Sequence, residues 1–423
     1  MQFDLIEHTH RLARALLATE MQGIRLDLEY CLSLGSELTG KLSDLSNTMH
    51  ESVIDEIKEV EEDIYQTELG KRKTDKGKAN VKRPTFNFSS STQLGKLLYA
   101  KLKLPPKRTK KGTWTTSKLY LETIAHHHPV VAHISERNKL NVYYQTFVKG
   151  LMEKAIGDRI YPEFNVNGTK QARISHSNPN MGNQPSRGEW SKLRGIFLPD
   201  QDQLLFKSDY SQLEVYIATH FSQDKNLLRV IHEGESKHDI TAKELGIERA
   251  DAKTVNFAMQ YGCTPTRIQL ILKCSREQAQ NFWDRYWIAY PGEKVVIDRC
   301  KKLVDDCEPI VNPFGRARHL PTQFRTPYEK AAVYRQAYSH LIQSTAGDLM
   351  NLAFYEMSEW TKKMGYGRML FTVHDEGIGT AKPEHQEECL AKLNEFMINA
   401  GKRINLTVDL STDGECGLER WKK

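Results

Sequence analysis

No run of apolar residues in this 423-residue chain approaches the roughly 20 that a membrane-crossing helix needs. Met1-Gln2-Phe3-Asp4-Leu5 has none of the parts of a secretory leader. A soluble, cytoplasmic protein with no membrane partner is the expectation. The seven cysteines are odd in number, scattered and free of any CxxC pair, which argues against a disulfide framework and a zinc knuckle and fits a reducing compartment. His126-His127-His128 with His133 has no cysteine or carboxylate at ligand spacing, so it makes a poor metal site. Excess charge is also slight: 60 Lys and Arg against 54 Asp and Glu leave +6. The basic residues are bunched, however, and bunched charge is what a phosphate backbone responds to. With 39% hydrophobic and 27% charged residues, the chain is ordinary enough to fold, and long enough for about two to four structural units.

Residues 2 to 20 carry apolar positions at helical spacing, and Met21 to Asp27 reads as a turn. Asp27 then opens a long polar helix to about Gln66, laced with both charges and predicted to be a solvated rod. Lys71-Arg72-Lys73-Thr74-Asp75-Lys76-Gly77-Lys78-Ala79-Asn80-Val81-Lys82-Arg83 is almost free of apolar residues and is expected to be a surface loop drawn to nucleic acid. A second basic loop, Lys107 to Gly112, is followed by helical segments to about Lys149. Between Ile160 and Phe221 the texture changes to short strands and turns, with a polar loop from Ala172 to Arg187 that is rich in amides and arginines. Residues 226 to 340 look mainly helical, Asn312 to Pro321 reads as a hairpin turn with forked cations, and Pro383 to Ala400 is an amphipathic helix. A last strand is predicted over Leu406 to Leu410.

Two acidic stretches stand out. Leu204 to Phe206 reads as a short strand running into Lys207-Ser208-Asp209-Tyr210-Ser211-Gln212-Leu213-Glu214. Far downstream, Met369-Leu370-Phe371-Thr372-Val373 and Ile378-Gly379 flank the acidic turn His374-Asp375-Glu376-Gly377. Alone, either acid is more simply a strand stop or a helix cap. Together they suit a pair of Mg²⁺ ions, which take few protein ligands and leave the rest to water and phosphate.

The informative helix runs from Glu248 to Gly262. Arg249, Lys253, Phe257 and Tyr261 recur every four residues, and at about 100° per residue they share one broad face. Cations at one end and rings at the other suit a nucleotide, charges for its phosphates and rings for sugar and base. The alternative is a core stripe whose cations snorkel to solvent. Arg335, Ser339 and Gln343 line one side of a further helix and are long enough donors to touch a minor groove.

With these residues in place, the chain resembles the polymerase portion of the family A DNA polymerases, the class of bacterial DNA polymerase I and its phage relatives. Asp209 to Glu214 is similar to the first catalytic motif of that family. Arg249, Lys253, Asn256, Phe257, Tyr261 and Gly262 are similar to its nucleotide-binding helix, and Val373 to Glu376 to its third motif. Flanking matches are Arg173, Asn178 to Asn180, Arg187, His238, Gly315-Arg316, Arg335, Gln343 and Trp421. The resemblance covers nearly the whole chain and extends to the phage type.

The resemblance implies an α+β right-hand polymerase fold, with an antiparallel-sheet palm and helical fingers and thumb. The implied division is 1–150 for an N-terminal segment and thumb with a basic insertion at about 70–84, 151–225 and 341–423 for the two parts of the palm, and 226–340 for the fingers. It implies template-directed DNA synthesis with two Mg²⁺ ions, deoxynucleotide substrates and primer-template DNA. Asp209 and Asp375, with the Tyr210 carbonyl, would be the metal ligands, and Glu376 would belong to the catalytic set. Arg249, Lys253 and His238 would bind the triphosphate, and Lys253 would protonate pyrophosphate. Phe257, Tyr261, Gln212 and Glu214 would complete the nucleotide site, with Glu214 occupying the space of a ribose 2′-hydroxyl. Phe257 also implies poor use of dideoxynucleotides. Arg173, Arg187, Arg335, Gln343 and His374 would contact the primer terminus and minor groove. Bacterial or phage-infected host cytoplasm is the implied location. The proofreading domain that usually precedes the thumb is not in this sequence, so a separate exonuclease or processivity subunit, or a longer parent protein, is expected.

Departures from the family pattern are Gly182, Tyr216, Ala258, Ser339 and Thr372. None removes a metal ligand, but Gly182 and Ser339 shorten minor-groove contacts. Two rivals stay open: a two-metal nuclease, which would not need the Arg249–Tyr261 stripe, and a silent DNA-binding subunit.

Overall fold

The computed structural model describes residues 4–109 and 111–422, with the side chains at 75, 77, 244 and 245 left aside. The parts of the sequence reading that rest on residues 1–3, Lys110, Lys423 and those side chains lie outside the described residues. The chain divides into two compact units, Met1–Leu26 with Ile156–Lys423, and Asp27–Ala155.

The larger unit is built on a four-stranded sheet in the order Thr412–Leu418, Leu204–Tyr210, Glu376–Ala381, Gly367–Val373, with every neighbouring pair antiparallel. Glu376–Ala381 is buried at all six positions, as befits an inner strand covered on both faces. Gly379 is required there because a Cβ would fall 2.2 Å from the Phe206 ring. Against the sheet lies a 38-residue helix, Pro327–Met364. It is capped by Thr326 and ends at Gly365 with φ 69°. From Ser344 to Phe354 every residue of it is buried, so it serves as a core beam with no solvent face there. Leu349, Met350, Ala353, Phe354 and Met357 join Phe206, Tyr210, Leu393 and Met397 in one core. A separate helical cluster is centred on Leu227, Val255, Met259, Ile268 and Tyr286.

The smaller unit is helical and has its own core of Met49, Val53, Ile57, Val60, Leu97, Leu98, Leu121, Val130 and Ile134. Its long rod is a finding against expectation. Leu28–Ser52 and Ile54–Gly70 are two helices broken at Val53, and Cys31, Leu34, Leu38, Met49, Ile57 and Val60 are buried along them. Mixed charge on the outer faces had hidden an apolar stripe of about helical period. The 71–83 stretch contains a short helix, Asp75–Ala79. His128 caps the Pro129–Val142 helix by accepting from Val130 N at 3.2 Å. Among the described residues no helix is long and apolar enough to cross a membrane.

Three further differences concern strands. Residues 24–26, expected in a turn, form a short strand between Arg159–Ile160 and Phe197–Leu198. The strand expected to stop at Phe206 runs on through Asp209 to Tyr210. No strand forms over Leu406 to Leu410; the strand is Thr412–Leu418, polar and holding two glycines. As an edge strand paired on one side only, it needs backbone hydrogen bonds more than apolar side chains, and so carries little sequence signal.

Candidate active site

Strand pairing brings the two acidic stretches together. Glu376 stands opposite Asp209 across the ladder, and Tyr210 N donates to the Asp375 carbonyl at 3.1 Å. Asp209 and Asp375 therefore emerge at the same end of the sheet although 166 positions separate their numbers. Beside them the chain bends sharply: Gln212 has φ 50° and His374 φ 56°. Left-handed backbone at non-glycine residues costs free energy and is concentrated at sites that need an unusual side-chain direction. The Tyr210 phenol is turned into the core, where it donates to the Met397 carbonyl at 2.7 Å. Burial pushes its pKa far up.

Arg173 ties the carboxylates together. Its Nη2 lies 3.3 Å from Asp375 Oδ1 and 3.4 Å from Glu214 Oε1. The loop that carries it is clamped to the long helix: Asn351 Nδ2 donates to the Ala172 carbonyl at 2.7 Å. Gly347 permits that approach, since a Cβ there would sit 2.4 Å from the Gln171 carbonyl oxygen. Glu214 opens the Leu213–Ser222 helix and also accepts from the Tyr261 hydroxyl. Burial raises the Glu214 pKa against the lowering pull of Tyr261 and Arg173. Gln343 is a further hydrogen-bond partner of both Glu214 and Tyr261, and it also accepts from Ser339 Oγ at 3.0 Å.

A cavity of about 370 Å³ opens over this sheet end, lined by Asp209, Gln212, Glu214, Asp375 and Glu376 below and by Arg173, Lys253, Phe257 and His374 around it. Lys253 and Phe257 come from the Arg249–Gln260 helix. Its buried residues are Ala252, Val255, Asn256, Met259 and Gln260. Of the Arg249, Lys253, Phe257 and Tyr261 stripe, Arg249, Lys253 and Phe257 lie off that buried face, whereas Tyr261 follows the helix and packs against the main core beside Tyr338. His238 stands beside this stripe with its ring centroid 5.6 Å from that of Phe257. Burial, then the charges of Lys253, Lys237 and Arg249, bring its pKa down to about 4. Arg249 is exposed and held at 2.6 Å by Asp239.

Other predicted residues lie outside the cavity. Arg187 is exposed, although its neighbour Ser186 is on the cavity wall. Arg335 lines a second hollow, of about 260 Å³, with Tyr261, Trp283 and Trp287.

Glu376 lines the cavity, yet its carboxylate is committed elsewhere. Oε2 is 2.9 Å from Arg194 Nη1 and Oε1 is 3.5 Å from Lys207 Nζ. The Arg194 guanidinium also lies 4.2 Å from the Trp421 ring centroid. Sequence reasoning did not single out Arg194 or Lys207. Arg194 belongs to no motif and Lys207 only precedes one, and it is the buried Arg194 and the half-buried Lys207 beside an acid that identify them.

The donor set fits a hard cation, being carboxylate oxygens and a main-chain carbonyl. Among the described residues no group of three or more His, Cys, Asp or Glu is placed to hold a metal ion.

A sheet with paired aspartates at one end, faced by a helix bearing cations and aromatics, defines a class as well as a site. The chain has the α+β right-hand polymerase fold: it superposes with a TM-score of 0.83 on the solved POL domain of Pol1 from M. smegmatis, in complex with DNA primer-template and dNTP. That likeness is at 25% identity and covers 97% of this chain and 69% of that one. The model of DNA polymerase family A matches residues 43–423. The thermostable DNA polymerase I of Thermus thermophilus is 31% identical over 405 residues, 92% of this chain and 45% of its own length. DNA polymerase I of Geobacillus stearothermophilus is 29% identical across 98% of this chain and 45% of its own. The chain thus spans just under half the length of these relatives. It belongs to family A of the DNA polymerases.

Proposed function

We propose that these residues carry out template-directed DNA synthesis, adding deoxynucleotides to a primer 3′-hydroxyl. The observation that carries the reading is Asp209 and Asp375 at one sheet end, under a cavity that Lys253 and Phe257 also line. Two Mg²⁺ ions held by Asp209, Asp375 and the Tyr210 carbonyl would lower the pKa of the primer hydroxyl and offset charge on the triphosphate. The remaining work falls to the chain's own side chains. Arg249, Lys253 and His238 bind the triphosphate, with Lys253 also holding a proton for the departing pyrophosphate. Phe257 packs on the incoming sugar and base. The Glu214 carboxylate, fixed by Arg173 and Tyr261, fills the space a ribose 2′-hydroxyl would need. Arg173, Arg187, Arg335, Gln343 and His374 touch primer and template, and Gln212 lies along the nucleotide. Glu376, paired with Arg194 and Lys207, belongs to the catalytic set and supports the turn that carries Asp375.

Residues 151–225 and 341–423 act as the palm, 226–340 as the fingers and 1–150 as the N-terminal segment and thumb in this reading. Bacterial and phage enzymes alike are compatible with it. The basic stretch 71–83 grips DNA or docks a processivity subunit.

The test is primer extension with Mg²⁺ and four deoxynucleotides, comparing the chain with Asp375→Ala. Extension by the first and none by the second is expected. Shortening of the DNA without extension would favour the two-metal nuclease, and equal extension by both would remove Asp375 from the mechanism.

A further inference from the structure

The helices beside the cavity bury an ion pair that nucleotide addition does not itself require. Lys237 and Glu293 are 1% and 0% exposed. Lys237 Nζ lies 2.8 Å from Glu293 Oε1 and 2.8 Å from the Tyr286 hydroxyl. The Tyr286 hydroxyl in turn donates to the second Glu293 oxygen. The ammonium is also 4.5 Å from the Tyr290 ring centroid and 5.0 Å from that of Tyr286. A buried pair of this kind gains little net stability over apolar side chains of the same volume. What it supplies is direction, because an ammonium between a carboxylate, a phenol and two ring faces has one place to sit.

That place matters for what Lys237 is joined to. Lys237 is the first residue of the Lys237–Leu245 helix, and His238 is the second. Glu293 belongs to Pro291–Asp305 and Tyr286 to Arg276–Ala289, so the network locks one helix end against two others. The Lys237 carbonyl accepts from Asn256 Nδ2 at 3.3 Å, and the same Nδ2 lies 3.1 Å from His238 Nδ1. Asn256 is 1% exposed and directly precedes Phe257. A shift of Lys237 therefore passes to His238 through one peptide unit, and the buried Asn256 amide that holds both of them sets His238 against the Lys253–Phe257 face.

We propose that the Lys237–Glu293 pair is a positioning device for the phosphate end of the incoming nucleotide. By fixing where the Lys237–Leu245 helix begins, it fixes where His238 meets the face that carries Lys253 and Phe257. Neither residue touches the nucleotide; both act through His238. The inference rests on the polymerase reading given above.

The test compares wild type, the double variant Lys237→Met/Glu293→Leu, His238→Ala and the triple variant. Each is measured for kcat and the deoxynucleotide KM in primer extension, and for Tm. Replacing both partners leaves no bare buried charge, although it takes both of these partners from the buried Tyr286 hydroxyl. Expected is a deoxynucleotide KM raised about tenfold in the double variant, since small misplacements of a binding group are costly, with Tm lowered only by the Tyr286 hydroxyl left without those partners. The triple variant should lie within about twofold of His238→Ala, because effects that share one route do not multiply. An unmoved KM in the double variant, or effects of pair and histidine that multiply, overturns the inference and leaves the pair as packing alone. Should the apolar pair block folding, Lys237→Arg decides the matter: it keeps the charges while displacing the helix end, and an unchanged KM then also overturns the inference. No extension by wild type would sink the polymerase reading and this inference with it, whereas extension with an unmoved KM sinks the inference only.

Discussion

Replacing Arg194 by Met would strip Glu376 of its nearest partner. Both side chains are inside the protein, at 2% and 6% exposure, and the contact is 2.9 Å. Removing one member of a buried pair costs about 3–5 kcal/mol, because the other charge stays behind unpaired. Lys207, 3.5 Å from the second carboxylate oxygen, offsets part of that. Loss of the cation lying 4.2 Å from the Trp421 ring centroid adds about 1 kcal/mol. A net destabilisation of about 3–4 kcal/mol is the result. Urea unfolding followed by far-ultraviolet circular dichroism measures it. The companion variant Arg194→Met/Glu376→Gln removes the stranded charge and should regain at least half the loss. Because Glu376 begins the strand that follows Asp375, extension activity should fall with the single substitution even below its unfolding transition. Arg194→Met lying within about 1 kcal/mol of wild type, the level of a surface pair, would refute the reasoning. So would a double variant no more stable than the single.

Glu214→Ala should admit ribonucleotides, lowering discrimination against them by roughly 10- to 100-fold, the scale of relieving one steric conflict of about 1–3 kcal/mol; parallel extension with the two nucleotide types reads it. His176 is buried, and burial, then the nearby His374 charge, lowers its pKa from 6.5 to about 4. Between those values the unfolded chain binds a proton that the folded chain does not, so its contribution is intact above pH 6.5 and lost as pH falls towards 4. His176→Leu should flatten acid destabilisation across that window by up to about 1.4 kcal/mol per pH unit, and an unchanged slope in pH-dependent unfolding would count against it. Deleting 71–83 removes Arg72, Lys73, Lys76, Lys78 and Lys82 together with Lys71 and Arg83, which are paired to Glu68 and Glu62. The slope of log DNA affinity against log salt should become shallower by roughly 0.9 for each phosphate the stretch would otherwise neutralise. Fluorescence anisotropy titrations that superpose with those of the undeleted chain would dispose of a DNA-gripping role.

By itself the sequence determined what short-range patterning can encode. The apolar runs either side of His374-Asp375 specify a hairpin, and the four-residue recurrence from Arg249 to Tyr261 specifies one helix face, because side-chain direction follows from local period alone. The motif residues also carried the family resemblance. What only the tertiary structure decided were pairings between distant segments. It placed Asp209 inside a strand, set Glu376 opposite it, and put the last strand at Thr412–Leu418, where edge pairing needs no apolar pattern. It also chose the partners of buried charge. Arg194 beside Glu376 and Lys237 beside Glu293 look like surface residues in the sequence. A charge goes inside only when its counter-charge arrives from another segment, and no local pattern records that arrival.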